Sequence, residues 1–383
     1  MKKILIVNNN LHIGGVQKAL ISLLWSIRGQ YDVTLLLFYK TGQLLSQLPP
    51  EVKVITPKSG FRYLGMTRAD RLTGWQKLGR SFFAAITRLF GRKYAVWLMG
   101  ICQKKLQGFD AAISYLHNSG DNMFYGGCND FVLKHVSANR KITFLHGDYT
   151  LCGGATAQNN RQYERFDVIA ACSQGCADAF LKVQPHLKDK VQVVYNCHRF
   201  DEIRDAAAAA PVTLAHEKLN VVTVARLGKE KGVERAVQAI AASETLKKQL
   251  HYYVVGDGIQ RPLLEKLIKE GQLEQTVTLC GMLTNPYGYI RGADLLLIPS
   301  YSEAAPLVIG EAACLGTPVL STKTSSATEM IETPGLGWVC ENSTEAMTKA
   351  LEQLVRDRSR LVALQPGGGS NEEALKQFAR CIE

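Results

Sequence analysis

Leu295-Leu296-Leu297-Ile298-Pro299-Ser300-Tyr301-Ser302-Glu303-Ala304-Ala305-Pro306-Leu307-Val308-Ile309-Gly310-Glu311-Ala312-Ala313-Cys314-Leu315-Gly316-Thr317-Pro318-Val319-Leu320-Ser321 reads as two short apolar strands joined by a helix. The first run, Leu295–Pro299, opens into a loop at Ser300. Pro306 suits the first helical position, where a missing N–H costs nothing, and Gly316 and Pro318 close the helix before the run Pro318–Ser321. Short, continuously apolar strands separated by helices lie in parallel sheets covered on both faces. The same alternation fills the chain. Its earlier runs are Ile4–Val7, Val33–Phe38, Val52–Ile55, Ala111–Tyr115, Ile142–His146, Val168–Ala171 and Val191–Tyr195, followed by Val221–Ala225, Tyr252–Val255 and Val277–Cys280. Two such series predict an α/β fold of two Rossmann-like, doubly wound parallel-sheet domains, with sites at the carboxyl ends of the strands.

The break between the series lies around Cys197–Asn220, where Asp205 leads into five alanines and Pro211. Residues 1–200 and 201–365 are the expected domains. Pro366-Gly367-Gly368-Gly369-Ser370 reads as a flexible linker, followed by a last helix over Asn371–Ile382 with Asn371 as its N-cap. At 383 residues with 46% hydrophobic and 21% charged residues, the chain suits a globular protein and excludes a disordered one. No apolar stretch approaches the roughly 18 residues of a membrane span, and Met1-Lys2-Lys3-Ile4-Leu5-Ile6-Val7-Asn8 reads as a core strand rather than a signal peptide. Ten cysteines without a CxxC pair favour free, buried thiols in a reducing compartment over zinc or disulfides.

The formal charge is +11, and most of the excess is local. Between Phe61 and Leu106 stand ten cations and one acid, Asp70. On a helix, Lys77, Arg80, Arg88 and Arg92 fall within one arc, opposite Leu78, Phe82, Ile86, Leu89 and Phe90. Three readings compete: a solvated basic face of an ordinary helix, a membrane or acceptor surface built on Arg80, Arg88, Arg92, Lys93 and Trp97, and nucleic-acid binding. The last has no accompanying motif, so no nucleic-acid partner is expected.

Three places carry chemistry. Gly14-Gly15, between the first strand and its helix, forms an anion site in which glycines admit a close approach and the helix start offers free amides. It is not GxGxxG, so the dinucleotide fingerprint fails. Arg226 and Lys231, on the turn after the strand ending at Ala225, suit a diphosphate: a bidentate fork and a point charge. Glu311 is the only charge in a small, apolar helix, and burying a carboxylate costs several kcal/mol unless donors meet it, so ligand hydroxyls are good candidates. Glu303 stands just before that helix, poised to point into a cleft.

With Glu303-x7-Glu311 followed by Leu315-Gly316-Thr317-Pro318-Val319, the chain resembles retaining glycosyltransferases of family 4, which have the GT-B fold of two domains facing a cleft. Gly14-Gly15 matches that family's glycine loop, Arg226 with Lys231 its R-x4-K pair, and Val255-Gly256-Asp257-Gly258 its G-x-G turn. Ala293-Asp294 through Pro299-Ser300 matches the strand before the double-glutamate motif. The likeness is close over about 218–332; in the N-terminal half it rests on the glycine loop and Leu145-His146-Gly147. Ala304-Ala305 replaces the family's Gly-aromatic pair, and Ser325-Ser326-Ala327-Thr328-Glu329 lacks its glycines, so the donor sugar is not specified.

The resemblance implies roles. Arg226 and Lys231 would neutralise the leaving diphosphate, Gly14 and Gly15 would approach it, and Gly256 would form the adjoining turn. Glu311 would bind the ribose, and Met282 and Leu283 the base. Glu303, with the backbone at Ala305, Pro306 and Leu307, would hold the donor sugar, with His146 beside it. Catalysis would rest on Glu303, His146, Arg226 and Lys231, with no metal and no cofactor. The expected protein is a bacterial, cytoplasmic transferase, peripheral on the inner face of the membrane. It would move a hexose or N-acetylhexosamine from a UDP-type nucleotide sugar to a lipid-linked glycan in polysaccharide synthesis. The alternatives are a sugar-nucleotide epimerase of the same fold and a catalytically silent membrane-associated partner of another transferase. The last helix would cross back to the N-terminal domain.

Overall fold

The computed structural model describes residues 1–214, 217–364 and 366–383; residue 365, the expected end of the second domain, lies outside them. The chain divides into two units, Met1–Cys197 with Asn371–Glu383, and His198–Ser370. Each is built on one parallel sheet.

The first unit holds β1 (Lys3–Asn8), β2 (Asp32–Leu37), β3 (Lys53–Ile55), β4 (Leu106–Ser114), β5 (Val136–Leu145), β6 (Val168–Ala171) and β7 (Val191–Val193), in the spatial order β3-β2-β1-β4-β5-β6-β7. Every pairing is parallel. Because side chains alternate across a strand, Ile4, Ile6, Ile113, Ile142 and Phe144 face one side, where they pack with Leu20, Leu23 and Leu24 of the helix Gly15–Ser26. Phe378, Cys381 and Ile382 of the last helix, Glu372–Ile382, join the same cluster, and Phe378 meets Tyr31 edge-on at 5.9 Å. Each such buried apolar side chain contributes about 1.5–3 kcal/mol before entropy is counted. On the other side Phe38, Phe61 and Phe131 form an aromatic cluster with centroids 5.1–5.6 Å apart.

The second unit holds β8 (Leu219–Val224), β9 (Leu250–Val255), β10 (Val277–Gly281), β11 (Leu295–Ile298), β12 (Val319–Thr322) and β13 (Gly337–Cys340), ordered β10-β9-β8-β11-β12-β13 and again all parallel. One face buries Val221, Val254 and Leu297 and the other Val222, Val255 and Ile298, so both are covered by helices. The fold class is as expected: two Rossmann-like doubly wound domains. β13 is the strand that apolar runs did not announce. It is a four-residue edge strand whose residues are all half-buried, so it lacks the continuous apolar character of a central strand.

The segment between Phe61 and Leu106 departs from expectation. Its two longer helices are Gly74–Phe90, opened by a Thr73–Gln76 capping box, and Arg92–Gly100, and they are broken at Gly91, whose φ of +81° suits glycine alone. Arg88, Lys93 and Trp97 are exposed. Arg80 is half-buried, its Nε donating to the Met66 carbonyl at 3.0 Å. Arg92 is not on the surface at all: it is 1% exposed. Its guanidinium donates to the Ser119 carbonyl and to Asn159 Oδ1, and lies 3.8 Å from the carboxylates of both Asp121 and Asp130. The expectation that Arg92 belongs to a membrane or acceptor surface is therefore corrected. The turn at Gly91 takes it off the arc of Lys77, Arg80 and Arg88, and burial of a charge is tolerated there because carboxylates and carbonyls surround it.

Candidate active site

In an open parallel sheet, ligands bind at the carboxyl ends of the strands where the strand order reverses. In the second unit that point lies between β8 and β11, whose following loops carry Arg226, Lys231 and Glu303. Two glycines let these loops close up. A Cβ on Gly232 (φ +58°) would lie 2.1 Å from the Pro299 carbonyl, and one on Gly256 (φ +145°) 1.8 Å from the Ala225 carbonyl. The loops after β8, β9 and β11 are thus pressed backbone to backbone. Tyr301 N–H adds a bond to the Glu230 carbonyl at 2.9 Å.

This packing brings Lys231 to Glu303. Lys231 Nζ lies 2.7 Å from Glu303 Oε1, and Ser300 Oγ donates to the same oxygen at 2.7 Å. The Glu303 side chain is 10% exposed and that of Lys231 24%. Ser325 Oγ fixes the Glu303 carbonyl at 2.8 Å, so the glycine-poor 325–329 segment supports the loop directly. Glu303 Oε2 receives no hydrogen bond from the described residues. Arg226 lies on the same loop as Lys231 but pairs with Glu230 at 2.6 Å on the surface. Such a pair is worth about 0–1 kcal/mol and surrenders its cation readily.

Glu311 sits on the helix Leu307–Leu315, which starts after Pro306 without a side-chain cap; Pro306 is the residue before the helix rather than its first. Glu311 is 6% exposed, and the Tyr287 hydroxyl reaches its Oε1 at a long 3.5 Å. Burial, then the neighbouring Glu311 charge, pushes the Tyr287 hydroxyl far above its ordinary pKa, so it stays a proton donor. Ala305 and Leu307 are half-buried beside Pro306. Met282 and Leu283 are exposed at the end of β10, presenting apolar surface to water.

In the first unit the sheet reverses between β1 and β4. Gly14 is extended and precedes the helix Gly15–Ser26, which has no side-chain cap, and a Cβ on Gly15 would meet nothing within 4 Å. Packing inside the fold therefore does not demand a glycine at 15. The loop is held from beneath. Asn9 and Asn10 donate to the Leu64 and Gly65 carbonyls. His12 Nε2 lies 3.0 Å from Asp70 Oδ1, whose carboxylate also binds Thr41 and Thr67.

His146, just after β5, has its ring 4.6 Å from that of Tyr115. Burial, and then His117, pushes its pKa down to about 3; burial alone takes His117 to about 4. Both are neutral at physiological pH, and His146 Nε2 has no partner among the described residues. Their folded pKa values lie below the unfolded value of about 6.5, so between those limits the unfolded chain binds more protons and stability falls as pH falls. We expect His146→Gln to lose roughly 1–2 kcal/mol less than the wild type between pH 7 and pH 5, measured by urea unfolding. Equal losses would show that His146 does not carry this dependence.

Sequence reasoning missed several supporting residues. Arg235 is buried under the Glu303 loop, donating to the Pro299 carbonyl at 2.5 Å and to Asn342 Oδ1 at 2.8 Å, with its guanidinium 3.8 Å from the centroid of the Tyr301 ring. The available signal was a lone cation among the buried Val233, Ala236 and Val237. His198 Nε2 contacts the Leu307 carbonyl at 3.0 Å and leaves no room for a side chain at Gly310. Tyr287 had no signal, since its partner is distant in sequence. Among the described residues, no group of three or more His, Cys, Asp or Glu side chains is placed to hold a metal ion. All ten cysteines are free thiols, and Cys102 is exposed.

Residues 207–368, nearly all of them in the second unit's span, match the family model of glycosyl transferases group 1. The chain is 30% identical over 184 residues to the amylovoran biosynthesis glycosyltransferase AmsK of Erwinia amylovora, a match covering 44% of this chain and 45% of that one. It is 27% identical over 197 residues to the N-acetylgalactosamine-N,N'-diacetylbacillosaminyl-diphospho-undecaprenol 4-alpha-N-acetylgalactosaminyltransferase of Campylobacter jejuni, covering 51% and 52%. The chain thus spans about half the length of these relatives. The structure of Anabaena HepE in complex with UDP superposes with a TM-score of 0.65 at 18% identity, covering 100% of this chain and 97% of that one, and shares the GT-B fold.

Proposed function

We propose that the chain is a retaining glycosyltransferase that moves a hexose or N-acetylhexosamine from a UDP-type nucleotide sugar to a hydroxyl of a lipid-linked glycan, without a metal, at the inner face of a bacterial membrane. The observation that carries this is the contact of Lys231 with Glu303 at the point where the second sheet reverses. A cation for phosphate and a carboxylate for sugar hydroxyls stand side by side in a nearly buried place, where charge is screened least. The relatives named for amylovoran and for a diphospho-undecaprenol saccharide support the substrate class, and the UDP-bound structural neighbour supports the donor.

In this reading Lys231 and Arg226 bind the diphosphate and stabilise the charge that grows on it as the sugar C1–O bond breaks. Glu303 accepts hydrogen bonds from the sugar through Oε2, and Glu311 from the ribose. The acceptor hydroxyl attacks C1 from the face the diphosphate leaves. Its proton passes to the departing phosphate oxygen, so no protein base is needed.

The test is a panel of sugar nucleotides, read first by thermal shift and then by nucleotide release with and without acceptor, with and without chelator. A ligand at one hundred times its Kd stabilises by about 2.7 kcal/mol. Acceptor-dependent release, unchanged by chelator and giving the α-product from an α-donor, is expected. Isomerised donor without acceptor would replace this reading with an epimerase. Binding without turnover across the panel would replace it with a silent partner.

A further inference from the structure

We propose that the helices Gly74–Phe90 and Arg92–Gly100 form a bilayer dock whose apolar stripes, rather than its cations, enter an anionic membrane. The proposal deepens the membrane location given above and rests on it for its biological sense.

Trp75, Leu78, Phe82 and Leu89 stand at i, i+3, i+7 and i+14, within an arc of about 60°. They are 84%, 63%, 54% and 74% exposed. On the second helix Tyr94 and Trp97, at i and i+3, are also mostly exposed. Contiguous apolar surface of this kind marks an interaction site rather than an ordinary solvated face.

The helices are not loose. Their other side is packed: Phe83 lies 5.3 Å from the Tyr63 ring, Thr87, Ala95, Val96 and Met99 are buried, and Arg92 is clamped as described. The exposed stripes are therefore left over after folding is complete.

Charge selects the occupant. Of the ten cations between Phe61 and Leu106, all but Arg80 and Arg92 are exposed. The one acid, Asp70, is turned inward to His12 with its side chain 4% exposed. An apolar stripe with exposed Trp and a cationic rim free of exposed acids complements anionic headgroups above an acyl layer. The dock is also tied to the strand ends. Asp70 holds the glycine loop, and Arg92 holds Ser119 in the loop after β4. Seating the stripes in a bilayer would set these loops at the membrane surface, where a lipid-linked saccharide presents its hydroxyls.

The experiment uses the full chain with phosphatidylcholine vesicles containing 30% phosphatidylglycerol, read by sedimentation. The wild type should sediment, and Trp75→Ser combined with Leu78→Ser and Phe82→Ser should weaken partitioning at least tenfold at unchanged Tm. Lys77→Glu with Lys93→Glu should weaken it less and only at low salt. Transfer to a water-soluble acceptor should be unchanged in the serine variant, which separates failure of the dock from failure of the transferase reading. Unchanged sedimentation of the serine variant overturns the proposal. So does a wild type that ignores vesicles but forms a dimer which the serine variant dissociates, since the stripe then belongs to a second copy of the chain.

Discussion

Lys231→Met is expected to lower turnover about 10²–10³-fold while leaving the protein folded. The scale is that of removing one preorganised group that stabilises developing charge. Methionine keeps much of the aliphatic stem and removes only the ammonium. Two losses then coincide: the diphosphate loses its best-placed cation, and Glu303 loses its ion pair while Ser300 still donates to Oε1. With the ion pair gone, the carboxylate is free to turn from its position. The loss should lie mainly in kcat, because the charge Lys231 meets grows in the transition state. Steady-state nucleotide release measures it, with urea unfolding as the control for folding. Turnover within threefold of the wild type would remove Lys231 from the reaction. Arg226→Ala should cost less and act more on KM, since its guanidinium is solvated and must be recruited from Glu230.

Glu311→Gln should separate binding from stability. The carboxylate is almost fully buried and receives a long bond from Tyr287, so folding bears a desolvation cost that the protein itself only partly offsets. A neutral amide of the same shape lowers that cost. The free energy of unfolding in urea is expected to stay level or to rise, by up to about 2 kcal/mol, the usual trade between stability and a functional site. Affinity for UDP should fall about 10–100-fold as a charged acceptor for ribose hydroxyls is lost. Calorimetric titration with UDP measures the second effect. The opposite pattern, binding intact and stability lost, would show that Glu311 holds the helix rather than the ligand. Tyr287→Phe is the companion variant, with a smaller effect of the same sign on affinity.

Particular residues show why some of this was legible in one dimension. The strands were, because a parallel strand covered on both faces must be apolar at nearly every position, and Ile4–Val7 or Leu295–Ile298 can be little else. The Lys231 and Glu303 loops were, because each follows a short apolar run and because Gly232 and Pro306 punctuate them locally. Ser325 was read as a departure, yet its hydroxyl bonds the Glu303 backbone. A bond across 22 residues leaves no trace in local pattern. Asn342 and Tyr287 were silent for the same reason: each acts on a partner brought near by the sheet and not by the chain.

Residue type and order thus determined the two doubly wound sheets, the loops that carry chemistry and the excess of positive charge in one segment, all of which follow from periodicity and punctuation within a few residues. The tertiary structure alone decided which charges and which apolar side chains meet water. Arg88 and Arg92 lie four residues apart on one notional arc, yet the first is exposed and the second is enclosed by Asp121, Asp130 and Asn159. Leu78 and Phe82 look like core and stand in solvent. Burial is set by what packs against a face, and for Arg92 one neighbour that settles it, Asn159, lies 67 residues along the chain.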